Sequence, residues 1–119
     1  MSRLHRFLAA STLVLATLAT GAAAPSTEEP RTIVIEARRF EFEPKEIHLK
    51  KDETARLRVV SADVTHGFFQ RALRIDLDVV PGQPSEVTVT PRAAGTYTLI
   101  CDHFCGAQHG TMKMTIVVE

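Results

Sequence analysis

The chain has 119 residues, with 14 basic and 14 acidic side chains and no formal net charge, room for one domain and not for two. A balanced charge without a basic stripe argues against nucleic acid as a partner. Only two cysteines occur, Cys101 and Cys105, both in the last fifth of the chain.

The N-terminus reads as an export signal. Arg3 and Arg6 precede the uncharged run "FLAASTLVLATLAT", and the small residues of "GAAAP" follow. A basic start, an apolar middle and an Ala-rich end are the pattern of a secretory signal peptide, here over residues 1–24, with cleavage expected near Ala22 to Ala24. The alternative is an uncleaved N-terminal anchor, because no charged residue stands between Arg6 and Glu28. Membrane association would then run only through residues 7–24. No cysteine stands near the cleavage region, which argues against a lipid anchor. Both readings place the folded part outside the cytoplasm, in the periplasm or on the outer face of the cytoplasmic membrane. Losing residues 1–24 removes two basic side chains and no acidic one, so the mature net charge is −2. Residues 25–31, "PSTEEPR", form a short polar linker, and a domain over 32–119 remains.

That domain alternates with period two. "TIVIEA" (32–37), "FEF" (40–42) and "EIHLK" (46–50) come first. In "TARLRVVS" (54–61), Ala55, Leu57 and Val59 share one face and Arg56 and Arg58 the other. Leu73, Ile75, Leu77 and Val79 alternate with Arg74, Asp76 and Asp78; Val87 and Val89 alternate with Glu86 and Thr88. Tyr97 and Leu99 follow, and the last run sets Met112, Met114, Ile116 and Val118 together. Alternation enriched in β-branched residues marks half-buried strands. Pro44, "KKDE" (50–53), "PGQP" (81–84) and "PRAAG" (91–95) supply turns at sandwich spacing. The fold class expected is all-β, a small antiparallel Greek-key sandwich or barrel without an amphipathic helix.

"CDHFCGAQHGTM" (101–112) interrupts the last two strands with two cysteines, two histidines and a methionine. A loop pinned by a strand at each end can aim several side chains at one point. The sulfurs of Cys101 and Cys105, the imidazole of His109 and the thioether of Met112 are soft or borderline donors. They suit copper, Cu(I) above all, far better than magnesium or calcium. A further donor from elsewhere is expected, and "SADVTHGF" (61–68) offers His66 at a strand end. Asp63 is placed to orient nearby backbone, and Gly67 to let a second loop approach closely. One cysteine with His66, His109 and Met112 would make a blue copper set. Both cysteines together supply enough donors for two copper ions.

The spacing Cys-x-x-x-Cys-x-x-x-His-x-x-Met, with "DVTHGF" upstream, resembles the CuA domain of cytochrome c oxidase subunit II. The likeness runs through most of residues 32–119, including "LRIDLDVVPG" (73–82) and "GTYTLICDHFCGAQHGTM" (95–112). It implies a cupredoxin-like Greek-key β-sandwich or barrel. It also implies two copper ions shared by Cys101 and Cys105, with His66 and His109 binding one each. Met112 would be a weak ligand, and the backbone carbonyl of His103 the remaining one. Many relatives carry glutamate where His103 stands, but a main-chain oxygen is available from any residue. The chain has no tryptophan, so Phe68 or Phe104 would replace the aromatic residue through which electrons reach many relatives. The implied role is one-electron transfer, from a c-type cytochrome or similar donor to a terminal oxidase or other copper or haem acceptor. No catalytic chemistry of its own is expected, only a place where electrons enter cytochrome c oxidase.

Other readings attach to the same residues. Two exported cysteines four apart also suit a disulfide, which would be the oxidised metal-free state. A thioredoxin-like copper chaperone needs a helix after its cysteines, whereas Gly106, Gly110 and a strand follow here. Copper delivery or storage for oxidase assembly, and a mononuclear blue copper protein with a spare thiol, are the alternative functions. Met114 reads as core, His48 as an exposed or hydrogen-bonded strand residue, and Arg38, Arg39, Glu41 and Glu43 as a solvated face.

Overall fold

Alternating side chains sort the chain into two sheets with a shared interior. The computed structural model describes Gly21 and residues 29–119, so the expected signal peptide or anchor (Gly21 apart) and residues 25–28 of the linker lie outside the described residues. The strands are β1 (Arg31–Arg38), β2 (Glu41–Glu43), β3 (Glu46–Leu49), β4 (Ala55–Ser61), β5 (His66–Gln70), β6 (Ile75–Val79), β7 (Ser85–Val89), β8 (Gly95–Ile100) and β9 (Lys113–Val118). A single 3-10 turn at His109–Thr111 is the one helical element among the described residues. No helix there is long and apolar enough to cross a membrane.

One sheet has the order β2-β1-β4-β7 and the other β3-β9-β8-β5-β6. The all-β sandwich is as expected, but the purely antiparallel pairing is not. β1 runs parallel to β4, and β3 runs parallel to β9. The chain leaves β1 and β2, passes through β3 in the opposite sheet, and returns beside β1 as β4. Two strands joined by such a crossover can enter side by side in one direction, which a short hairpin cannot achieve.

The predicted faces hold. Ala55, Leu57 and Val59 of β4 point inward, and Met114, Ile116 and Val118 of β9 do the same. Ile35, Phe42, Leu57, Phe68, Ile75 and Leu99 are fully buried between the sheets. Phe42 of the first sheet meets Phe68 of the second edge to face, ring centroids 5.6 Å apart.

The site is positioned by one strand pairing. β5 lies antiparallel to β8, with Phe69 opposite Ile100. Stepping back along β5 to Gly67 and His66 therefore keeps level with the chain leaving β8 toward Asp102 and His103. β8 and β9 pair from Gly95↔Val118 to Ile100↔Lys113, so residues 101–112 are the loop of a long hairpin. Its neck is closed by the Cys101 N–H donating to Met112 O at 3.1 Å.

Candidate metal centre

All six sequence-predicted donors meet at the end of the sandwich where β5 begins and β8 ends. The Cys101 and Cys105 sulfurs are 3.6 Å apart. That separation is far beyond a disulfide bond of about 2.05 Å, and both cysteines are free and buried. The Nδ1 of His66 stands 4.0 Å from the Cys101 sulfur, and the Nδ1 of His109 stands 3.8 Å from that of Cys105. The Met112 Sδ lies 3.8 Å from the Cys105 Sγ, and the His103 carbonyl oxygen 3.2 Å from the Cys101 Sγ. Each thiol thus has one imidazole turned toward it, plus one weaker donor.

Local structure explains why the loops reach one another. Gly67 opposes the turn at Asp102, and its N–H donates to the Cys101 sulfur at 3.4 Å. A Cβ at position 67 would collide with Asp102 Oδ1 and lie 2.6 Å from the His103 N. In the second half of the loop, the His109 N–H donates to Gly106 O and the Met112 N–H to His109 O, both at 3.1 Å. That 3-10 turn brings His109 and Met112 to the same side. His103 turns its imidazole away, Nδ1–H donating to Phe104 O at 3.1 Å, so only its carbonyl faces the cluster.

Asp63 fixes the His66 ring. Its Oδ1 accepts from His66 Nε2 at 2.7 Å and from the Val64 N–H at 2.6 Å, and its Oδ2 accepts the Arg39 N–H at 2.8 Å. An acceptor at Nε2 places the proton there and leaves the Nδ1 lone pair facing the sulfurs. Burial pushes the Asp63 carboxyl up, but the bonds from Arg39, His66 and Val64 outweigh it and hold the group below the ordinary carboxylate range. Burial, with the Cys101 thiol second, pushes the Cys105 thiol up to about 11. Burial thus disfavours a bare Cys105 thiolate and favours a cation that would neutralise it.

One residue here was not anticipated as part of the site. Arg39 is exposed, as expected of a solvated face, yet its Nε also donates to the Cys105 carbonyl oxygen at 2.9 Å. Arg38 is exposed, as expected, and pairs with half-buried Glu41. His48, also as expected, is an exposed strand residue, bonded to Glu46 and Glu119. Of the two candidate aromatics, Phe68 is fully buried, whereas Phe104 is 75% exposed, its ring 5.9 Å from that of His109. A crevice of about 210 Å³ lined by Arg39, Val64, Thr65, His103, Phe104, Cys105 and Gly106 opens above Cys105.

The donor set fits copper by its chemistry. Two buried sulfurs, two imidazole nitrogens, a thioether and a carbonyl are soft and borderline ligands with no carboxylate among them. His66, Cys101 and Cys105 alone bring their ligand atoms within 4.8 Å of one another.

Comparison with known proteins bears on the family and the fold. A family model described as "Cupredoxin-like domain" matches residues 8–118. Cytochrome c oxidase subunit 2 of Thermus thermophilus is 34% identical over 88 residues, covering 74% of this chain and 65% of that one. The chain therefore spans just under two thirds of that relative's length. Among solved structures, the periplasmic domain of subunit II of cytochrome oxidase from Bradyrhizobium japonicum superposes with a TM-score of 0.69 at 21% identity, covering 75% of this chain and 83% of that one. Auracyanin A, a "blue" copper protein from Chloroflexus aurantiacus, gives a TM-score of 0.59 at 20% identity, covering 76% and 100%. These likenesses show the fold expected from the sequence.

Proposed function

This chain belongs to the cupredoxin-like family, and from that premise we propose that it is an electron-transfer domain that binds two copper ions outside the cytoplasm. The observation that carries the reading is the pair of free sulfurs 3.6 Å apart with one imidazole Nδ1 turned to each. Cys101 and Cys105 would be shared by both ions; His66 and Met112, with His109 and the His103 carbonyl, would complete the set. Copper supplies a one-electron couple. The protein supplies rigidity: β5 carries His66, the Cys101 N–H bond to Met112 O closes the neck of the loop, and the 3-10 turn fixes His109 and Met112. Donors that scarcely move when charge changes keep the barrier to electron exchange low.

The same residues shield the site and open it at one point. His66 is fully buried and Cys101, Cys105 and Met112 nearly so, which keeps water away. His109 is half-buried and lies beside the exposed Phe104, so this edge is where a redox partner would approach. A c-type cytochrome or similar donor and a terminal oxidase acceptor fit this role, supported by the subunit 2 relatives. Export through residues 1–24 is the matching reading of the N-terminus, supported by the periplasmic structural neighbour.

Copper analysis with paramagnetic resonance tests the proposal. Two coppers per chain, with the unpaired spin coupled to both nuclei, is the expected result. Cys105→Ser should then retain at most one. One copper in the unaltered protein would indicate a mononuclear blue site. Ready release of Cu(I) to an acceptor without redox cycling would indicate delivery. Two coppers with an unchanged spectrum in Cys105→Ser would defeat the assignment.

A further inference from the structure

The two loops that carry the donors are joined from outside by a dipeptide, Arg39–Phe40, in the turn between β1 and β2. The Arg39 N–H donates to Asp63 Oδ2 at 2.8 Å, while Asp63 Oδ1 holds His66 Nε2 at 2.7 Å. The Arg39 side chain reaches the other loop, Nε donating to Cys105 O at 2.9 Å. Phe40 presses on Gly106, where a Cβ would lie 2.7 and 2.9 Å from its ring atoms. Gly106 has φ +142°, a conformation that glycine adopts without strain.

The donor loop needs such a support. Among the described residues, no backbone–backbone bond outside the strands uses the N–H groups of 102–105 or the carbonyl of Cys105. Irregular backbone without a ladder opens at little cost, and a charged donor on its carbonyl is the strongest single restraint available. We propose that Arg39 is a positioning residue for the cluster: its Nε fixes the Cys105 carbonyl, and with it the Cys105 and His109 side chains, relative to the Asp63–His66 pair. Its guanidinium also brings a permanent positive charge to the Cys105 end of the site. The first consequence belongs to the metal-free chain; the second rests on the paired-copper reading. A fixed positive charge disfavours the more oxidised form of a centre, so removing it lowers the reduction potential.

Two variants of the full chain separate these effects. Arg39→Met keeps the aliphatic stem and loses the donor and the charge; Arg39→Lys keeps the charge on a shorter reach. In the reduced, metal-free protein, Arg39→Met should speed amide exchange across 102–110 about tenfold while leaving β4 and β9 unchanged. Exchange within about twofold of the unaltered protein, in a variant whose strands are intact, overturns the positioning role. In the unaltered protein the Arg39 Nε–H should exchange at least about tenfold more slowly than that of exposed Arg71, a readout that does not depend on any variant folding. Equal rates would also overturn it. With copper bound, Arg39→Met should shift the redox equilibrium toward the oxidised form by up to about tenfold, ~59 mV for one electron, and Arg39→Lys should restore most of that. Equal shifts in both variants would remove the charge effect from the proposal. Failure of every form, unaltered included, to take up copper would instead overturn the paired-copper reading, and the exchange data would still decide the role of Arg39.

Discussion

The Gly67 N–H points at the Cys101 sulfur from 3.4 Å, and the backbone of Asp102 and His103 occupies the space a side chain at 67 would need. Gly67→Ala must therefore push the donor loop off the sheet. Overfilling a close-packed site costs about 1–3 kcal/mol, which a denaturant midpoint would read. The displaced loop would also expose the two thiols, so labelling of the metal-free protein should accelerate. Gly110→Ala is the control: nothing lies within 4 Å of its Cβ position, and its stability should stay within about 0.5 kcal/mol of the unaltered protein.

Asp63 makes the second prediction. Asp63→Ala strips partners from the Arg39 and Val64 N–H groups and from His66 Nε2, and should cost about 1–3 kcal/mol. Because its folded value is lowered, its carboxylate contributes fully above the unfolded value of 3.8 and loses that contribution as pH falls through the folded value. The stability gap between the unaltered protein and Asp63→Asn should therefore narrow between about pH 7 and about pH 3. A gap independent of pH would show that the charge on Asp63 is not what matters.

How much of this was legible in the sequence depends on which residues carried a pattern. β4 and β9 were, because each shows one face to the core and alternates accordingly. β5 was not: His66, Gly67 and Phe68 are buried in succession, since the strand lies inside its sheet between β8 and β6 and the donor loop covers its start. The parallel β1–β4 and β3–β9 pairs were equally invisible, as alternation tells which face a side chain takes and not which strand runs beside it. The donors themselves were legible because their chemistry is rare and their spacing tight. Arg39 was hidden among Arg38, Glu41 and Glu43: it is exposed, as its charge suggested, and only the return of Cys105 to the β1–β2 turn gives its Nε a second role on a buried partner.

His48 sits on the outer face of β3, its Nε2 2.8 Å from Glu46 and its Nδ1 3.1 Å from Glu119. Hydrogen bonds to Glu119 and then Glu46 raise its value above the usual 6.5. A raised folded value means the stabilisation is complete below the unfolded value and disappears as pH rises through the folded one. His48→Gln should therefore lower the thermal midpoint slightly at about pH 5 and have a smaller effect at about pH 9. The group is exposed, so added salt should weaken the acid-side difference. A difference that grows toward alkaline pH would contradict the ion pairs.

Phe42 and Phe68 are the only aromatic pair linking the two sheets among the described residues, fully buried with rings at 75°. Phe42 stands two residues beyond Phe40, which braces Gly106, and Phe68 stands two beyond His66. Their contact therefore sets the spacing of the sheets directly beneath the donor cluster. Removing either ring leaves a cavity in a close-packed interior, and Phe68→Ala should cost about 3–5 kcal/mol. Phe68→Leu fills more of the space and should cost less. If spacing matters to the site as well as to stability, Phe68→Leu should also speed amide exchange at His66 and Gly67 in a protein that remains folded. Destabilisation spread evenly over every strand, with no excess at those two amides, would confine the aromatic contact to a general core role.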